Sequence, residues 1–97
     1  MKIAYIVRGS EDGNIGVYST KERARKRAVE YVEQSGEGSA RTMVTRKSWK
    51  DGDDLTDKYH YVVANQSNVS KELDKTMHVS IEANDVEADI ESFYVNQ

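Results

Sequence analysis

The stretch "GVYSTKERARKRAVEYV", residues 16–32, decides how the rest of the chain is read. Ser19 stands three residues before Glu22, the capping-box spacing in which a hydroxyl accepts from a free first-turn amide and a carboxylate reaches back. A helix is therefore expected over about 20–34. Within it Ala24, Ala28, Tyr31 and Val32 fall at i, i+4, i+7 and i+8 with Val29 beside them, one apolar stripe that must face a core. Lys21, Arg23, Lys26, Arg27 and Glu30 lie largely outside the stripe. The segment also holds five Lys or Arg in the seven residues Lys21 to Arg27, which raises the question of a phosphate-gripping helix against a solvated helix face. "QSGEGS" (34–39) then supplies glycine just past the helix, where helices prefer to end.

Upstream, "KIAYIVR" (2–8) is apolar on both alternating faces, Ile3, Tyr5 and Val7 against Ala4 and Ile6, which predicts a central strand covered on both sides. "GSEDGN" (9–14) is a loop and "IGVYS" (15–19) a short second strand. Downstream, the Thr, Val and Trp content of "ARTMVTRKSW" (40–49) favours a strand, "KDGDDLTD" (50–57) an acidic turn or loop, and "KYHYVVA" (58–64) a second strand of the same hairpin. "NQSNVSKELDK" (65–75) reads as a connection with one helical turn around Val69 to Leu73. "TMHVSIEA" (76–83) alternates Met77, Val79 and Ile81 with His78, Ser80 and Glu82, the pattern of a half-exposed strand. "VEADIESFYV" (86–95) fits either a strand entered through an Asn84-Asp85 turn or, by its Val86, Ile90 and Phe93 spacing, a helix; the strand is preferred. The expected fold is one α+β domain over 1–97: an antiparallel sheet of about five to six strands with one main helix, about 20–34, packed on one face, in the order ββα then strands.

Bulk properties narrow the chemistry. A chain of 97 residues supports a single domain with a modest core. With no cysteine there is neither a disulfide nor a Cys-based zinc site, so packing or a partner subunit must hold the fold, and homodimerisation is an expectation. The apolar run Ile3 to Val7 is too short for a signal core or a membrane span, which predicts a cytoplasmic protein. Charge is divided along the chain: residues 1–50 carry eleven Lys or Arg against six Asp or Glu, and residues 51–97 carry three against eleven. Opposed halves of that kind pair within a fold, drive head-to-tail association or present two electrostatically distinct surfaces.

Two basic clusters are candidates for nucleic-acid contact. Arg23, Lys26 and Arg27 lie on the helix, and Arg46, Lys47 and Lys50 surround Trp49, the single tryptophan. Glu22, Glu30 and Glu33 interrupt the first cluster, and a strand tryptophan is more often a core or interface anchor. The acidic run with Asp53, Asp54 and Asp57 fails as a calcium loop: read from Asp51, the position that needs glycine holds Thr56 and the position that needs a bidentate glutamate holds Val62. His60 and His78 have no neighbouring ligand cluster, so no metal or other cofactor is expected. No P-loop, nucleophile elbow or dinucleotide fingerprint occurs, and the triplets at Asn65 and Asn68 are chance glycosylation matches if the chain stays in the cytoplasm, as expected.

The "KIAYIV" strand followed by "GVYSTKERARKRAVEYV", with "IESFYVN" as a terminal strand, resembles a loose group of short phage-encoded and bacterial proteins of unassigned function. The likeness covers about a third of the chain and consists of a strand, a cap and a helix stripe, and residues 40–75 are longer and more strand-like than the group's pattern. It implies a small accessory protein that binds a host component, inhibitors of defence systems included, and it carries no catalytic residue. The functional expectation is a non-enzymatic protein that modulates a host protein through a charge-polarised surface formed by Arg23, Lys26, Arg27, Arg46, Lys47, Trp49, Lys50, Asp53, Asp54 and Asp57. The alternative is nucleic-acid binding through the basic helix and the Arg46–Lys50 cluster, without membrane contact.

Overall fold

The computed structural model describes residues 2–35, 42–51, 54–83 and 86–95. The elements run β1 (Lys2–Gly9), β2 (Gly13–Tyr18), α1 (Lys21–Ser35), β3 (Thr42–Asp51), β4 (Asp54–Val63), α2 (Gln66–Thr76), β5 (His78–Ala83) and β6 (Val86–Val95). They form one six-stranded antiparallel sheet in the order β2-β1-β6-β5-β3-β4. The sheet is three hairpins, with the last, β5-β6, inserted between the first and the second. The expected α+β architecture, with its main helix on one face of an antiparallel sheet, is what the chain adopts.

The last hairpin takes the middle because the inward side of its paired length, Val79 to Ile90, is apolar. Val79, Ile81, Val86, Ala88 and Ile90 are buried there, and Val7 and Val79 flank Ile90 across neighbouring strands. Alternate residues point to opposite faces of a strand, so His78, Ser80, Glu82, Glu87, Asp89 and Glu91 turn to the other side. β1, expected at the centre with both faces covered, is instead next to the β2 edge. Its Tyr5 and Val7 are buried, whereas Ala4 and Ile6 on the outer face are only half-buried, because neither helix crosses that side.

α1 docks the stripe read from its sequence: Ala24, Ala28, Tyr31 and Val32 are buried, with Val29 packed against the cluster. The two alanines let the helix axis approach the sheet closely. The start of the helix differs by one residue from the expected cap. Thr20 Oγ1, not the Ser19 hydroxyl, accepts from the Arg23 amide at 3.3 Å, and the Thr20 carbonyl accepts from the Ala24 amide at 3.2 Å. The Glu22 carboxylate accepts instead from Gln66 Nε2 of α2 at 2.9 Å.

α2 is a full helix where a connection with one turn was expected. Asn65 caps it by accepting from the Asn68 amide at 2.8 Å, and Val69 and Leu73, one turn apart, are its buried residues. With only two apolar positions its stripe is too narrow to announce itself, and its docking on β5 and against α1 supplies the stability that its composition does not. Met77 ends the helix in the left-handed region, φ 60°, where its amide donates to the Leu73 carbonyl at 2.9 Å. It therefore precedes β5, although its alternation had placed it in that strand.

A close approach fixes the first hairpin. The Tyr31 ring lies over Gly9 so tightly that a Cβ there would meet Tyr31 Cζ at 2.3 Å. The Tyr31 hydroxyl oxygen accepts from the Glu11 amide at 3.1 Å. Gly13 closes the turn with φ +74°, a conformation that favours glycine. Ser10 ties the same turn to β6, its amide donating to the Glu87 carbonyl at 2.9 Å and its hydroxyl accepting from the Glu87 amide at 3.0 Å.

Two outcomes follow. Gly9→Ala destabilises the fold by about 1–3 kcal/mol in chemical denaturation, because neither the tyrosine ring nor the buried strand can yield without repacking. Met77→Gly stabilises it by about 0.5 kcal/mol in the same measurement, the left-handed penalty relieved being partly offset by added chain entropy.

Candidate functional site

The two helices cover one face of the sheet, and among the described residues the other face lies open. Among the described side chains of β1, β2, β5, β6 and Thr42–Val44, none that points to that open face is buried. The strand register arranges it in rows. One row runs Asn14, Arg8, Asp89, Ser80 and Val44 from β2 to β3; the next contains Val17, Ile6, Glu91 and His78; a third sets Glu87 opposite Glu82 and Glu82 opposite Thr42. At the Lys2 end of the sheet the face is apolar, with Ala4 opposite Phe93 and Ile6 opposite Val17, the last 63% exposed.

The centre of the face is therefore a lane of four carboxylates, Glu82, Glu87, Asp89 and Glu91, beside an apolar patch. Arg8 is the cation set among them. Its guanidinium pairs diagonally with Glu91, and its Nε donates to Asn14 Oδ1 at 3.2 Å. The hydrogen bond from Arg8 and then its charge hold the Glu91 carboxyl below its ordinary range. His78 Nε2 lies 3.9 Å from Asp89 Oδ1. Glu82 goes the opposite way: burial first, then a hydrogen bond shared with Glu87 and the charge of Glu87, push its carboxyl above the ordinary range. Like charges directly opposite across two strands oppose pairing, so Glu82 and Glu87 strain the β5–β6 hairpin where they meet.

The basic residues expected to act together are divided by the fold. Arg23 and Lys26 are exposed on the solvent side of α1, while Arg27 is half-buried. Lys21 is drawn away into an ion pair with Asp74 of α2. Arg46, Lys47, Trp49 and Lys50 belong to β3, opposite Tyr59, Lys58, Thr56 and Leu55 of β4, near the other edge of the sheet. β5 accompanies β3 only over Thr42–Val44, so this cluster lies on a stretch where β3 and β4 pair with each other alone. Asp54 and Asp57, expected in an acidic turn, sit within β4 opposite Asp51 and Ser48, and Asp53 lies outside the described residues.

The acidic lane was absent from the expected site, although its signal is in the sequence. "HVSIEA" and "VEADIE" each place polar residues at i, i+2 and i+4, and a short connection between them brings the two sets face to face. Among the described residues there is no group of three or more His, Asp or Glu arranged to hold a metal ion, and no helix is long and apolar enough to cross a membrane. No protein-family model, no curated protein and no solved structure matches the chain.

The raised Glu82 carboxyl gives a pH signature. A carboxyl with a folded-state pKa above its unfolded value contributes stability below the unfolded pKa, and that contribution is lost as pH rises through the folded value. Glu82→Gln removes the like-charge contact, so thermal denaturation at about pH 7 shows a midpoint about 2–4 °C higher than the unmodified chain, corresponding to about 0.5 kcal/mol. The difference closes below about pH 4, where the carboxyl is protonated in both states.

Proposed function

We propose that this chain is a non-enzymatic accessory protein that binds a protein partner through the open face of its sheet. The observation that carries the reading is the one-sided burial of the sheet: both helices lie on one face, and the other offers an acidic lane and an adjoining apolar patch to whatever approaches. An uncovered sheet face of mixed character suits a partner surface that is basic with an apolar margin. The phage-type resemblance of the β1–α1 region supports taking that partner as a host component whose activity the protein modulates.

The exposed Arg23 and Lys26 support the second reading, contact with nucleic acid, because they lie together on the solvent side of α1, on the opposite face of the molecule. The two readings predict different losses. In affinity capture from host lysate at low salt, neutralising the lane with Glu82→Gln, Glu87→Gln and Asp89→Asn reduces the retained protein about tenfold, at ~0.5 kcal/mol per charge, and leaves the Arg23→Gln, Lys26→Gln variant unaffected. Capture that survives the lane variant but is lost with the α1 variant, with nucleic acid as the retained material, overturns the first reading in favour of the second.

A further inference from the structure

Among the described residues the sheet has two free edges, and they are built differently. β4 forms one of them and carries Asp54, Asp57 and Lys58, charges of the kind that keep an edge strand from pairing with another chain. β2 forms the other. Its residues, GNIGVY, include no charged side chain and no proline, and Val17 is 63% exposed. A bulge interrupts its pairing with β1 between Val7 and Arg8, so the irregularity lies towards the Gly13 end. Gly16, Val17 and Tyr18 remain in regular register with Val7, Ile6 and Tyr5. Along this length the outward backbone groups of β2 have no ladder partner among the described residues.

A second copy of the chain is the occupant that the charges favour. An uncharged strand meets its own copy without repulsion. The open face does not: two copies stacked through it would set Glu82, Glu87, Asp89 and Glu91 against one another. The apolar patch beside this edge, Val17 with Ile6, Ala4 and Phe93, would also run on unbroken from one sheet into the next. We infer that β2 pairs antiparallel with β2 of a second copy, about a twofold axis near Val17, joining two six-stranded sheets into one. This interface uses the sheet edge and leaves both open faces available, so it is independent of the partner-binding reading.

The test uses the full chain. Sedimentation across a concentration series gives a dimer that dissociates on dilution and changes little between low and high salt. Hydrogen exchange on the unmodified protein shows the amides of residues 13–18 gaining protection as concentration rises. Val17→Lys, at an exposed position that leaves the fold intact by circular dichroism, weakens the dimer at least about tenfold. Because the chain has no native cysteine, Val17→Cys reports directly: mild oxidation yields a covalent dimer, whereas Lys26→Cys on α1 does not. A monomer at every concentration overturns the inference. So does a dimer formed without protection of β2, or one that survives Val17→Lys and dissolves in salt, the mark of α1 of one copy resting on the acidic lane of another.

Discussion

The structure depends on burying one face of one sheet. Val7, Ile90 and Val79 lie side by side across β1, β6 and β5, all fully buried, and α1 closes over the sheet with Ala24, Ala28 and Val32. A chain this short has few other apolar contacts to draw on, and it contains no disulfide. α2 adds Val69 and Leu73 to the same side. All the described buried residues therefore belong to a single layer between helices and sheet, and none of them is polar or charged.

That one-sidedness decides where charge can go. Removing an unpaired charge from water costs far more than any surface pair returns, so the charged side chains collect on the two surfaces outside the buried layer. The solvent side of α1 holds Arg23 and Lys26, and the open side of the sheet holds Glu82, Glu87, Asp89 and Glu91 around Arg8. The imbalance between the two halves of the sequence thus becomes, in part, an imbalance between the two faces of a slab. It does so because the basic half supplies α1 and the acidic half supplies the central hairpin. Pairs such as Lys21–Asp74 and Arg8–Glu91 join the halves.

Local departures from simple patterning mark where elements meet. Gly9 is bare because Tyr31 lies on it, and Tyr31 is held there by the Glu11 amide. Glu22 serves α2 through Gln66 instead of closing a capping box. The Glu82–Glu87 contact is a cost carried on the open face, where solvent screens it in part.

By itself the sequence determined the elements with strong periodicity. The Ala24, Ala28, Tyr31, Val32 stripe, the alternation of β5 and the two-faced apolar run of β1 each reflect a repeat that local geometry imposes, whatever surrounds it, and from them the α+β class follows. Only the tertiary structure decided the rest. The insertion of β5-β6 between the other hairpins, which displaces β1 from the centre, depends on long-range pairing that no local repeat encodes. α2 depends on two residues finding a core already formed, and the acidic lane exists only once a turn sets two polar strand faces opposite each other. Each of these is a contact between segments distant in the chain or across a reversal, and single-residue periodicity carries no record of which face another segment will cover.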